Sequence, residues 1–280
     1  MMTNIDPKTV SSFGDEWSRF DQDALGEDEH IFLFDTYFSI FPWNILPEAA
    51  QGFDMGCGSG RWAMLVAPRV GTLTCIDPSP EALNVARKKL AHLPNVGFVN
   101  AGVSDHALPP ESQDFGYSLG VLHHIPDTGS AMQDCVRLLK PGAPFLVYLY
   151  YKFDNRPLWF VVVWRVSDLL RRVISTLPAR IKYVVTDFLA GLVYFPLARL
   201  ALISERIGVK VDRWLLSSYR NTSFYTMRTD SRDRFGTPLE QRFTRNEIIA
   251  MMQAAGLQDI QFSESFPFWC AVGRKVTILS

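Results

Sequence analysis

The chain lacks the marks of several functional classes. It has four cysteines, Cys57, Cys75, Cys135 and Cys270, far apart and without a CxxC spacing. Structural zinc and redox dithiols need such spacing, so no metal is expected and the thiols read as reduced cytosolic ones. Its formal net charge is only −1, which argues against nucleic-acid binding, since such proteins carry a strongly basic face. MMTNIDPKTVSSFGDEW at the N-terminus has no apolar core and does not read as a signal peptide. There are no internal repeats and no low-complexity tract. No Lys-Ser or Lys-Thr pair follows a suitable glycine, which excludes a Walker A loop.

What is present is ordinary globular material: 280 residues, 48% hydrophobic and 20% charged, enough for one decorated α/β domain or two small ones. From Gly52 to Tyr151, short apolar runs alternate with helix-like stretches. GFDM, TLTCI, VGFVN, FGYSLG and PFLVYLYY read as strands. Arg61–Ala67, Ser79–His92 and Ser130–Leu139 read as helices, with Ser79 as an N-cap, Pro80 at the first helical position and Lys140-Pro141-Gly142 as a stop. This alternation implies βαβ units and a parallel sheet covered on both faces. Near the end, Thr244–Ala255 reads as a helix with a Thr244/Glu247 capping box. DIQFSES and FWCAVGRKV then follow, separated by little more than Phe266-Pro267, and can pair only as an antiparallel hairpin.

The sharpest signal is GFDMGCGSGRW, Gly52 to Trp62, with Gly56, Gly58 and Gly60 between a strand and a helix. A dinucleotide fold prefers GxGxxG. This turn has one residue before its last glycine. Asp77 closes the second strand 21 positions after Gly56, a placement that suits the two hydroxyls of a ribose. The ligand expected is an adenosine with a differently shaped head.

These residues resemble a family. D-M-G-C-G-S-G, then I-D, then D-F-G-Y-S-L-G-V-L-H-H-I-P-D, then L-L-K-P-G, in order over about residues 52–151, look like the class I S-adenosylmethionine-dependent methyltransferases. The resemblance implies a doubly wound, seven-stranded Rossmann-like α/β sheet in order 3-2-1-4-5-7-6, with strand seven antiparallel. It implies S-adenosylmethionine as cofactor and S-adenosylhomocysteine as product. It implies that Gly56, Cys57, Gly58 and Gly60 approach the methionine part, that Asp54 helps to orient the ammonium and that Asp77 holds the ribose. Pro78, Gly102, Val103 and Ser104 would lie near the adenine, and Leu119 and Gly120 near the sulfonium. Trp17, in the FGxxW-like segment SFGDEWSRF, would belong to a lid over the cofactor. Bland alternatives stand beside these roles: Asp77 as a helix N-terminal acid, Cys57 as a small apolar filler, Trp17 and Phe20 as core packing.

Methyl transfer from a sulfonium needs a positioned nucleophile and a dry site, and a base only where the acceptor must lose a proton. The candidate catalytic residues are His124 and Tyr150, with His123 beside them; the alternative for the histidines is that one ring orders the loop. Tyr151 leaves the same strand toward its other face and is a candidate substrate contact.

Two pieces lie outside the core: a helical lead-in, residues 1–51, and an insertion, residues 152–243, before the final piece, 244–280, which completes the core. Between Arg156 and Arg213, ten basic residues face four acids, so this segment carries +6. It includes PLWFVVVWRVSDLLRRVI and KYVVTDFLAGLVYFPLARLALI. Arg165 and Asp168 interrupt the first, and Asp187, Pro196 and Arg199 the second, so neither reads as a clean membrane span. The expectation is a helical cap that encloses the acceptor, or one that makes peripheral membrane contact through 156–213. The stretch after it supplies candidate acceptor-binding residues: Tyr219, Arg220, Tyr225, Arg228, Asp230 and Arg234.

The sequence therefore predicts a cytoplasmic methyltransferase acting on a small molecule or a glycan- or lipid-linked precursor, not on nucleic acid. The competing readings are an NAD(P)-type oxidoreductase and a non-catalytic cofactor-binding scaffold.

Overall fold

The computed structural model describes residues 4–20, 22, 24–264 and 268–277, apart from the side chain of Ser18. The turn at Phe266-Pro267 lies outside the described residues. The chain divides into two compact units. One comprises residues 1–18, 31–152 and 239–280, the other residues 19–30 and 153–238. The boundaries differ from those that motif order suggests: Arg19–His30 goes with the insertion, and 239–243 with the core.

The first unit is a seven-stranded sheet. Its strands are β1 (Gln51–Met55), β2 (Thr72–Asp77), β3 (Val96–Asn100), β4 (Phe115–Leu119), β5 (Pro144–Tyr148), β6 (Leu257–Phe262) and β7 (Cys270–Lys275). Their order is β3-β2-β1-β4-β5-β7-β6. The pairs from β3 to β5 are parallel, and β7 runs antiparallel to both β5 and β6. The expected topology is thus the observed one. β4 is buried at all five positions, as a central parallel strand covered on both faces must be.

Helices α1 (Pro7–Arg19), α2 (Glu27–Phe38), α3 (Ala63–Val66), α4 (Pro80–Lys89) and α5 (Thr128–Leu138) precede β5 in the chain. The Ser79 hydroxyl accepts the Ala82 N–H and caps α4. α5 starts two residues before the expected Ser130, because Asp127 is its cap and accepts the Ser130 N–H at 2.9 Å.

The second unit contains α6 (Leu158–Ile174), α7 (Ala179–Leu189), α8 (Phe195–Arg206) and α9 (Phe224–Gly236). α10 (Arg245–Ala254), back in the first unit, carries the complete capping box of Thr244 and Glu247. α7 and α8 are joined by a π-helical turn, Ala190–Tyr194, into one continuous 28-residue rod, Ala179–Arg206. The sequence reads Asp187, Pro196 and Arg199 as breaks, yet the helix runs through all three. The π turn stands just before Pro196, which has no N–H to donate. Asp187 is half-buried between Arg19 and Arg228. Arg199 donates to the carbonyls of Arg220 and Thr222. The charges that interrupt the sequence pattern are satisfied inside their own unit.

The packing of this unit is unusual. Its apolar cluster is small: Ile174, Tyr194, Ala198, Met227 and Phe235. Much of the rest of its buried content is polar. Asp168 bonds Arg171 at 2.7 Å, Arg171 also donates to the carbonyls of Thr237 and Pro238, and Ser231 donates to that of Thr186.

Candidate cofactor and active site

The glycine turn leaves β1 beside the end of β2. The Asp77 carboxylate holds the two loops together: Oδ2 accepts the Gly58 N–H at 2.9 Å and Oδ1 the Ser79 N–H at 2.9 Å. A carboxylate has about four lone-pair sites, so both oxygens can still accept from a diol. Burial raises the Asp77 pKa to about 6, against those two backbone bonds, which lower it.

Asp54 lies one strand-residue before the turn and is buried. The Tyr117 hydroxyl faces it as a weak donor, but neither that hydroxyl nor the Asp54 Oδ2 makes a hydrogen bond of ordinary geometry. Burial raises its pKa to about 8; the Asp77 charge adds to this, while Tyr117 and Arg61 oppose it. The Ser59 hydroxyl is likewise buried and without a partner. Unmet acceptors and donors in a dry place are costly unless a ligand answers them. Cys57 is also buried, and its thiol pKa is raised by the hydrogen bond with Cys75 and then by burial, so it stays a neutral thiol at the turn.

Gly58 has φ +53°, and a Cβ there would come within 2.9 Å of the Trp17 ring. Trp17 therefore lies directly on the turn. The same lead-in crosses the other strand ends. Ile5 meets Gly102, Gly14 meets Ser79, and the Phe13 ring stands 5.0 Å from His124. Gly120, with φ +80°, has nothing within 4 Å of a Cβ position, so the end of β4 opens onto space beside Leu119. Gly56 and Gly60 also have positive φ. Pro78 is half-buried and Val103 buried, while the Ser104 hydroxyl turns to Asp134 at 2.6 Å.

After β4, His123 and His124 form a short turn of helix. His123 is fully buried, its ring 3.9 Å from Tyr150 and 4.0 Å from His124. Burial first, then electrostatic interaction with His124 and Arg242, hold its pKa well below the ordinary value; the ring is neutral. His124 Nδ1 lies 2.6 Å from the Leu239 carbonyl. A carbonyl only accepts, so Nδ1 carries the proton and Nε2 is the basic nitrogen of the neutral ring.

A strap formed by residues 239–243 holds this turn, and nothing in the sequence pattern but a polar tail announces it. The Gln241 N–H donates to His123, its side chain to the Ile125 carbonyl, and the Phe243 N–H to Tyr150. Arg242, paired with the nearly inaccessible Glu240 at 2.7 Å, stands 5.0 Å over the Tyr150 ring. Tyr151 turns away toward Phe268 and Trp269.

The remaining acceptor candidates lie in the second unit and are engaged there. Arg220 pairs with Glu205, Arg228 with Asp187 through two hydrogen bonds, and Arg234 bonds Ser167. The Tyr225 hydroxyl accepts from the Gln22 N–H, Tyr219 packs on Tyr194, and Asp230 is half-buried. Arg232, unremarked in the sequence, is the fully buried arginine of α9, and none of its three nitrogens has a hydrogen-bond partner.

A methyltransferase domain family matches residues 53–147. A ubiquinone biosynthesis O-methyltransferase from Vibrio cholerae is 32% identical over 163 residues, which are 55% of this chain and 62% of that protein. The chain thus spans less than two thirds of this relative's length. Among solved structures, a SAM-dependent methyltransferase from Methanosarcina mazei superposes with TM-score 0.52 at 18% identity, over 85% of this chain and 98% of the other. One from Thermotoga maritima does so with TM-score 0.51 at 13% identity, over 95% and 100%. Those two likenesses bear on the fold, and the sequence match bears on the core that carries the glycine turn. Residues 53–147 are thus similar to a methyltransferase domain family, and the solved methyltransferases are alike in fold.

Proposed function

We propose that this protein transfers a methyl group from S-adenosylmethionine to a small-molecule acceptor. The observation that carries the reading is the buried Asp54 oxygen without a hydrogen bond of ordinary geometry, set beside a glycine turn that Asp77 pins open. Bound S-adenosylmethionine supplies an already activated methyl group. The chain's residues do the rest. Asp54 faces the ammonium, Asp77 takes the ribose hydroxyls, and Gly56, Gly58 and Gly60 let the backbone come close. Trp17 and the rest of the lead-in exclude water. The space beside Gly120 would admit the acceptor's nucleophile to the methyl group.

His124 is the proposed base where the acceptor must lose a proton, because its tautomer is fixed with Nε2 basic. His123, neutral and enclosed, positions Tyr150 and His124. The finer acceptor class is an apolar or sugar-linked precursor, and the protein is a cytoplasmic one in peripheral contact with a membrane through 156–213. An NAD(P) oxidoreductase is disfavoured by the antiparallel β7.

Calorimetric titration with S-adenosylhomocysteine tests the cofactor site. Binding is expected for the native chain and lost in Gly58→Leu, whose side chain would collide with Trp17. Equal affinity in both would refute the placement. Methyl-labelled cofactor incubated with fractionated extract from the source cells would then identify the acceptor. No labelled product in any fraction would favour a cofactor-binding scaffold.

A further inference from the structure

The helical unit is built with its polar side inward. On α6, Leu158, Val162, Val166, Leu169 and Val173 recur every three or four positions and are all exposed, while Asp168 and Arg171 are buried. On the rod, Ile181, Val184, Phe188, Leu192 and Phe195 repeat the pattern, with Phe188 63% and Leu192 72% exposed. Lys182, Thr186 and Ser204 of the rod are buried. A water-soluble helix does the reverse. Contiguous exposed apolar faces of this extent mark a partner surface.

Charge selects the partner. Arg165, Arg172, Arg180, Arg206, Lys210 and Arg213 are exposed in the same segment, against the exposed acids Glu205 and Asp212. Apolar faces flanked by exposed arginines, of which Arg172 alone in this set is shown paired, to Asp168, complement an anionic lipid surface. The rod is long and apolar enough to cross a bilayer by length and composition. Its buried face, however, carries Lys182 and Thr186, bonded within the unit. A helix with one polar face lies along an interface, whereas a spanning helix is apolar all round.

We propose that α6 and the rod α7–α8 bind flat on an anionic bilayer surface, with the apolar faces at the acyl boundary and the arginines at phosphate level. This deepens the membrane-peripheral part of the function proposed above and rests on it. The surface would serve acceptors that partition into the bilayer.

The test is sedimentation of the full chain with phosphatidylcholine vesicles, with and without phosphatidylglycerol, at low and high salt. Binding is expected on the anionic vesicles, weakened by salt. Phe188→Ser with Leu192→Ser, and separately Leu169→Ser with Val173→Ser, should each lower the partition about tenfold or more. Arg165→Glu with Arg180→Glu should remove only the phosphatidylglycerol dependence. S-adenosylhomocysteine affinity, measured in parallel, should be unchanged in every variant. Failure of vesicle binding with cofactor affinity intact overturns this proposal and leaves the methyltransferase reading standing. Self-association abolished by the same serine substitutions, without vesicle binding, also overturns it and assigns the faces to a second copy.

Discussion

The two units bury opposite kinds of residue. In the sheet unit, the fully enclosed large side chains include Phe53, Leu73, Ile76, Leu83, Phe115, Tyr117 and Phe145, and buried Asp54, Asp77 and His123 gather at the strand ends. In the helical unit, the enclosed groups include Asp168, Arg171, Lys182, Thr186, Ser231 and Arg232. Among the described residues, 20 of the 24 large apolar side chains that are exposed belong to this smaller unit, so its outward apolarity is not an average property of the surface. A buried charge therefore means different things in the two places. In the sheet unit it stands out against an apolar core and marks the cofactor site. In the helical unit, ion pairs and side-chain bonds to carbonyls are themselves the packing.

The largest effect that could break this comparison is a truncation in the sheet core. Phe145 is fully buried in the middle of the sheet, and Phe145→Ala should cost about 3–5 kcal/mol, read by chemical denaturation. A cost near 1 kcal/mol would mean that the sheet unit does not depend on apolar burial as described.

Next comes pH. The folded-state pKa of Asp54, about 8, stands above the ordinary carboxylate value of 3.8. Its contribution to stability is present below that lower value and is lost as pH rises through about 8, because the native state keeps a proton that the unfolded chain has released. Between pH 6 and 8 the unliganded protein should lose about 2–3 kcal/mol from this group, and Asp54→Asn should flatten that slope. The affinity for S-adenosylhomocysteine should rise over the same interval, as the carboxylate ionises opposite the ammonium. An unchanged slope in Asp54→Asn would assign the titration elsewhere.

Arg232 sharpens the other half of the comparison. Its guanidinium is enclosed and packs on the Tyr183 ring at 4.5 Å, without a hydrogen-bond partner. Arg171 and Arg228 of the same unit both have acids. Replacing an uncompensated buried charge with an apolar side chain of similar length is often stabilising, so Arg232→Met should gain roughly 1–2 kcal/mol. A loss of that size in a thermal or denaturant scan would show that the guanidinium is balanced and the polar interior is complete.

Much of the sheet unit was legible in the sequence because its signals are local. The glycine turn, Asp77 at a strand end, the Ser79 and Thr244 caps and the closing hairpin each sit within a few residues; the strand order was implied by the family that the motifs resemble. The strap at residues 239–243 was not legible. Its bonds to His123, His124 and Tyr150 join segments about a hundred residues apart, and no local pattern announces them. The helical unit was misread for a related reason. Asp187 and Arg199 interrupt an apolar run along the chain, but only the helix decides that they point inward, leaving an unbroken apolar face outside.

The smallest expected effect is the most discriminating one. Leu169 is 63% exposed on α6. In an ordinary domain, a leucine in an apolar helix stretch is core, and Leu→Ser would cost several kcal/mol. Here the side chain is already in water, so Leu169→Ser should shift stability by less than about 0.5 kcal/mol. A polar residue should even improve solubility, since it breaks an exposed apolar patch. Asp168, the adjacent residue, gives the internal control. It is buried and holds both Arg171 and Arg172, so Asp168→Ala leaves Arg171 enclosed without its acid and should cost about 3 kcal/mol or more. The usual ranking, leucine over aspartate, would thus be inverted at neighbouring positions of one helix. Finding the usual ranking instead would mean that the apolar face of α6 is covered in the protein as it exists in solution.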